Sequence, residues 1–380
     1  VNNVVVGYDA FLTADGDEDY NIVIGAGAGG SIDHDNADFN VLIGNGAGTG
    51  GAAAMQKCIA IGSAAMDATA GNAQTGTIAI GHDALTSLTS GTGNIAVGYQ
   101  AGAVATTENY STFIGYQAGA ECVDGARNIA IGYGAMSSTQ AGVVQTTSDG
   151  SPDNMFIGYN AGGGQWANLS CEANIGVGNN VMDGALSGVF RNTAIGYNAL
   201  TGITTGDDNT AIGEAAGDGL TTGSENACLG SQSDTGAVGA VNQTAVGYGC
   251  TAVNTDNSVT IGNGNVTRVH MSQDADAVMY ADGTINTSDE RFKKDIEDSD
   301  LGLSFINSVR PVKYKFKSDK QGSKSRYGIV AQEVIEVLKA IDKEDFAGIE
   351  TDDPERLGAD YVQFVAPLIK AVQELSAKVE

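Results

Sequence analysis

The chain has 380 residues, of which 54 are Gly and only 4 Pro, with 19 Lys/Arg against 46 Asp/Glu. Gly at about twice its usual share excludes a helix bundle, and its even spacing excludes a disordered linker. Residues 286–380 hold 15 of the basic residues, so the stretch before them, with 4 basic and 27 acidic residues, repels nucleic acid and anionic membranes.

Val1 enters almost directly into a repeat, with no initiator Met or signal peptide ahead of it. This predicts the C-terminal part of something longer. The unit reads Asn, apolar, small or apolar, Ile/Val, Gly, any, any, Ala, as in Asn94-Ile95-Ala96-Val97-Gly98-Tyr99-Gln100-Ala101. Its glycine recurs fifteen times from Gly7 to Gly262, mostly 17 to 19 residues apart. A near-constant period of that length predicts a β-solenoid. At about 4.8 Å per rung its shaft would be roughly 70 Å long.

On a strand, the Ile/Val before the glycine and the residue two earlier share one face, while the residue between points the other way. All three positions are apolar or small, so both faces are expected to be buried. One face fills the coil's own core. The other needs a cover, for which another copy of the same chain is the natural candidate, so a homo-oligomer packed along its length is expected. The glycine marks a positive-φ turn or a close approach, the Ala three residues later a tight corner, and the Asn a side-chain ladder between rungs. At this point the units resemble those of trimeric autotransporter adhesin heads and related phage tail-fibre shafts. That likeness covers residues 1–264 and implies a homotrimer of parallel β-rolls.

Within the array, Gly25-Ala26-Gly27-Ala28-Gly29-Gly30 fits a dinucleotide fingerprint but belongs to the repeat, with no helix following. Asp15 to Asp19 and Asp33 to Asp38 offer oxygens suited to Ca²⁺, yet neither completes a known loop. No metal and no cofactor are therefore predicted. Cys58, Cys122, Cys171, Cys228 and Cys250 lack metal-ligand spacing and read as packed free thiols. Tyr8, Tyr99, Tyr116, Tyr133, Tyr159, Tyr197 and Tyr248 follow repeat glycines, and such a stripe either packs rung on rung or stacks on sugar rings. The longest gap, Gly132 to Gly158, contains Pro152, and the next loop carries the only tryptophan. Inserted loops on solenoids often bind, which makes Trp166 and Tyr159 ligand-binding candidates against the plainer reading of Trp166 packed on the shaft.

From Asn265 the pattern dissolves. Val266 to Met271 reads as a last strand or neck, within a linker over 265–286. Beyond it, Val312 to Phe316 and Tyr327 to Val330 read as strands and Ala331 to Ile341 as a helix. Val365, Leu368, Val372, Leu375 and Val379 step by three and four, the seam of a short coiled coil that needs partners to stand. No run of about 18 apolar residues occurs, so no membrane insertion is predicted.

Ser288-Asp289-Glu290-Arg291-Phe292-Lys293, Val309-Arg310-Pro311-Val312-Lys313-Tyr314-Lys315-Phe316, Tyr327-Gly328-Ile329-Val330-Ala331-Gln332-Glu333-Val334 and the terminal helix with Tyr361 and Leu368 closely resemble the endosialidase-type intramolecular chaperone auto-processing domain. The resemblance covers residues 287–380. It implies a small α+β domain at the end of a trimeric tail fibre or tailspike that aligns three chains and then releases itself through a Ser/Lys dyad. Ser288 and Lys293 occupy the dyad positions, with Lys293 as general base once partly desolvated in the trimer. The family pattern favours scission at Ser288–Asp289, whereas simple N-to-O acyl-shift geometry favours Thr287–Ser288. Ser288 as a helix N-cap with Lys293 in a solvated charge run is the plainer alternative.

The resulting expectation is a mainly β protein: a homotrimeric shaft (1–264), a linker and a chaperone domain (287–380). It would serve as the distal part of a viral tail fibre that holds a host surface receptor, expected to be a glycan, beside upstream fibre or tail proteins. Its only enzymatic activity would be single-turnover self-cleavage. A bacterial trimeric surface adhesin is the alternative, and a polysaccharide-cleaving tailspike a weaker one, because no cluster of carboxylates can be placed in a groove.

Overall fold

A computed structural model describes residues 2–50, 54–68, 73–122, 125–137, 150–166, 169–269, 290–317, 324–351 and 357–379. The chain divides into two compact units, Val1–Ala277 and Val278–Glu380.

The first unit is built on one parallel sheet of fifteen strands, from Val4–Val6 to Ser258–Ile261, each bonded to the next rung. Register is kept strictly, with Ala96 opposite Phe113 and Phe113 opposite Ala130. Short parallel strands Met55–Gln56, Gln74–Thr75 and Gly91–Thr92 form a second wall. Most rung strands are only three residues long, so one side chain per rung points inward. That residue is the middle one: Val23, Leu42, Ala60, Ala96, Phe113, Phe156 and Ala194 are fully buried. Corner alanines close the same core, among them Ala28, Ala47, Ala101, Ala118 and Ala199.

The strand's other face is the one expected to need a cover from outside the coil. Within one chain, the flanking residues remain half exposed, including Ile114 at 38% and Ile212 at 43%. A single coil is too narrow to enclose both faces of a three-residue strand, so an apolar stripe of two residues per rung is left outside.

The asparagine ladder forms as expected. The backbone N–H groups of Asn154, Asn174, Asn192, Asn209 and Asn226 each donate to the Oδ1 of the Asn one rung earlier, at 2.9–3.1 Å. Each amide group also donates across the coil, as Asn226 Nδ2 does to the Ala240 carbonyl at 2.7 Å. These side chains are buried, and the ladder satisfies backbone groups that water cannot reach. All five cysteines are free and buried.

The last rung strand ends at Ile261. Val266 to Val269 is irregular rather than strand, with Val266 folded over Gly262, and His270 and Met271 lie outside the described residues.

The second unit contains a 3-10 turn Glu290–Phe292 and helices α1 (Leu303–Ser308), α2 (Ala331–Ala340) and α3 (Val365–Val379), with two antiparallel strand pairs, Val312–Tyr314 with Arg326–Gly328 and Ile349–Glu350 with Gly358–Ala359. Leu301, Phe305, Val334, Leu338, Ile349 and Phe364 form its core. Phe305, Phe346 and Phe364 pack ring to ring at 5.2–6.1 Å. Among the described residues, no helix is long and apolar enough to cross a membrane.

Candidate functional site

The motifs read separately in the C-terminal sequence interlock in space. Arg310, just before Pro311, makes a two-pronged ion pair with Glu333 in the first turn of α2, its Nε 2.9 Å from Oε2. The guanidinium holds the Glu333 carboxyl below the usual carboxylate range by hydrogen bonding first and charge second. Both groups are largely exposed, so the pair orients more than it stabilises.

Gly328 lies directly against Tyr361. A Cβ on Gly328 would stand 2.2 Å from the Tyr361 hydroxyl oxygen, which accepts the Ile329 N–H at 3.2 Å. Glu374 of α3 reaches the start of α1 and accepts the Leu303 N–H at 2.9 Å, meeting an orphan donor of the first turn. Residues far apart in sequence therefore fix α3 to the rest of the unit.

α3 has two unlike faces. Pro367 and Ala371 are buried, whereas Val365, Leu368, Val372, Leu375 and Val379 are 46–81% exposed. Leu368 also borders an apolar groove with Ile306, Val309, Pro311, Ile329 and Phe364. Spaced by three and four, this apolar seam finds no cover in its own unit.

Of the predicted dyad, Lys293 is described: it follows the 3-10 turn, is exposed, and donates its backbone N–H to the Glu290 carbonyl at 3.0 Å. Ser288 and Asp289 lie outside the described residues, as does Thr287.

Trp166 is 2% exposed, lies edge-on to Phe156 with ring centroids 5.8 Å apart, and donates its indole N–H to the Gly162 carbonyl at 2.9 Å. Its ring belongs to the shaft core, so an external ligand would not reach it. Tyr159 is half exposed and stacks on Tyr133 at 5.3 Å. It ends a run of stacked rings, His82, Tyr99, Tyr116, Tyr133 and Tyr159, with successive centroids 5.0–5.6 Å apart. Packing rung on rung is thus realised, with ring edges left to solvent. The inserted stretch between Met136 and Asp153 is described only at its ends, where Arg127 pairs with Asp153 at 2.5 Å.

A long stacked-rung array followed in sequence by a small α+β unit with an uncovered helical seam defines the class: a repetitive β-solenoid protein with a separate C-terminal domain. Residues 288–343 match the family model described as chaperone of endosialidase. No curated protein and no solved structure matches the chain.

Proposed function

We propose that three copies of this chain form a fibre, that the C-terminal unit sets their register, and that this unit then releases itself by scission beside Ser288. The observation that carries the reading is the match of residues 288–343 to the chaperone of endosialidase, C-terminal in sequence to an array of fifteen similar rungs. Such rungs specify pairing within the chain but cannot tell a neighbouring chain which rung to meet. A non-repetitive module at one end fixes the alignment once, and the array zips from there.

Two surfaces support association. The exposed Ile/Val stripe of the rungs suits burial against a second copy, and the α3 seam suits a short parallel coiled coil. In this reading the trimer desolvates Lys293, which takes the proton of the Ser288 hydroxyl as that oxygen attacks the adjacent amide carbonyl. The C–N bond breaks as Lys293 returns the proton to the leaving amine, and water hydrolyses the resulting ester to a carboxylic acid and the free hydroxyl. Cleavage then follows correct assembly, and the released shaft is hard to unfold because its register cannot readily be rebuilt.

The mature fibre is proposed as the distal part of a viral tail fibre that holds a host surface glycan through the half-exposed tyrosine edges or nearby loops. Sedimentation of the purified shaft tests the assembly: trimers support it and monomers at micromolar concentration refute it. Binding of the shaft to host cells, lost on stripping surface glycans, tests the attachment.

A further inference from the structure

The first 56 residues carry eight acidic side chains and no Lys or Arg. Two acidic loops that look unremarkable apart in sequence, around residues 15–19 and 33–38, are brought together by the stacking of the first two rungs. Carboxylate oxygens of Asp15, Glu18 and Asp33 lie within 4.8 Å of one another, and those of Asp15, Asp17 and Asp35 do likewise. The aspartates are exposed. Glu18 is not: it is fully buried, one oxygen accepting the Gly16 N–H at 3.1 Å and Oε1 finding no hydrogen-bond partner.

Another rung shows what a buried glutamate at this position normally does. Glu108 stands seven residues before Gly115, as Glu18 stands seven before Gly25. Both Glu108 oxygens are satisfied from within, Oε1 by the Gly125 N–H at 2.8 Å and Oε2 by the Ser111 hydroxyl at 3.1 Å. At Glu18 the residue corresponding to Ser111 is Asn21, whose amide is committed to the Ala37 carbonyl. A buried carboxylate with an unmet oxygen beside two other carboxylates is strongly unfavourable unless it takes a proton or a cation joins the three.

We propose that Asp15, Glu18 and Asp33, with Asp17 and Asp35 at the rim, bind one Ca²⁺ that pins the loops of the first two rungs together. Ligand oxygens about 2.3–2.6 Å from an ion lie no more than about 5 Å apart, as these do. An all-oxygen set with shared and peripheral carboxylates suits the six to eight ligands of Ca²⁺ better than the strict octahedron of Mg²⁺. Zn²⁺ is disfavoured, since the nearby His34 turns its Nδ1 to the Asn36 N–H of its own loop.

The test is calorimetric titration of the chelator-treated full chain with CaCl₂ at near-physiological salt. The proposal expects one ion per chain with a dissociation constant of about 1 mM or tighter, at least tenfold weaker uptake in the surface variant Asp15→Asn/Asp33→Asn with an unchanged circular dichroism spectrum, and weaker uptake of Mg²⁺. Glu18→Gln adds a second readout: without calcium it should melt above the parent, and calcium should no longer raise its melting temperature. Equal uptake by parent and surface variant, no uptake at millimolar calcium, equal preference for Mg²⁺, or a calcium shift retained in Glu18→Gln would each overturn the assignment.

Discussion

Gly98 and Gly115 stack so closely that a Cβ on the first would stand 2.2 Å from the carbonyl oxygen of the second. The same contact recurs up the array, and Gly98 has φ +143°, outside the region L-residues adopt. Gly98→Ala therefore has to push two rungs apart. We expect a loss of about 3 kcal/mol or more, confined to adjacent rungs because each contacts only its neighbours. Hydrogen exchange should show faster amides around residues 78–131 and unchanged protection near residue 226.

Asn209 accepts the Asn226 N–H through Oδ1 at 3.0 Å and donates Nδ2 to the Gly223 carbonyl at 2.9 Å. Asn209→Leu removes both partners and leaves buried backbone groups unmet, at about 1–3 kcal/mol each. Local exchange protection of the 192–226 rungs should fall, whereas Asn→Leu at the exposed Asn265 should leave it unaltered.

Much of this array was legible in advance, because a glycine, a corner alanine and a ladder asparagine at fixed offsets each follow from a steric or hydrogen-bonding need. Which strand face becomes the core was not legible, since both faces are apolar; the narrowness of the coil decides for the middle residue. Nor was the corner. The second residue after the glycine adopts left-handed φ even where it is Asp83, Gln100, Gln117 or Asn180, and a repeat consensus of "any" gives no sign of it. Trp166 is buried because the loop folds its ring back onto Phe156, a tertiary contact that composition does not encode. In the C-terminal unit the motifs could be read, but the pairings Arg310–Glu333 and Gly328–Tyr361 needed the fold.

Burial raises the thiols of Cys171 to about 11 and Cys228 to about 12 from an ordinary value of 9.0. The native protein should therefore leave both unreactive to maleimide at pH 8, with labelling only after denaturation. The linkage sign follows. Above pH 9 the unfolded thiols release protons that the folded ones keep, so this stability contribution is full below pH 9 and is lost as pH rises toward 11 for Cys171 and 12 for Cys228. Denaturant midpoints measured from pH 8 to 11 should fall, and fall less in Cys171→Ala.

Leu368 and Leu375 are about half exposed on the α3 seam, while Ala371, at the flank of that seam, is buried. Leu368→Asp/Leu375→Asp should leave the helix folded but abolish association of the C-terminal unit, and with it the aligned shaft. Sedimentation velocity should show a shift from trimer to monomer or irregular aggregate, with helical circular dichroism of the unit preserved.

The most direct test of the account is the intact mass, under denaturing conditions, of the full chain expressed whole beside Ser288→Ala. The account predicts two fragments that meet beside Ser288 in the parent and one uncut chain in the variant. One uncut chain in both would contradict self-release by the C-terminal unit.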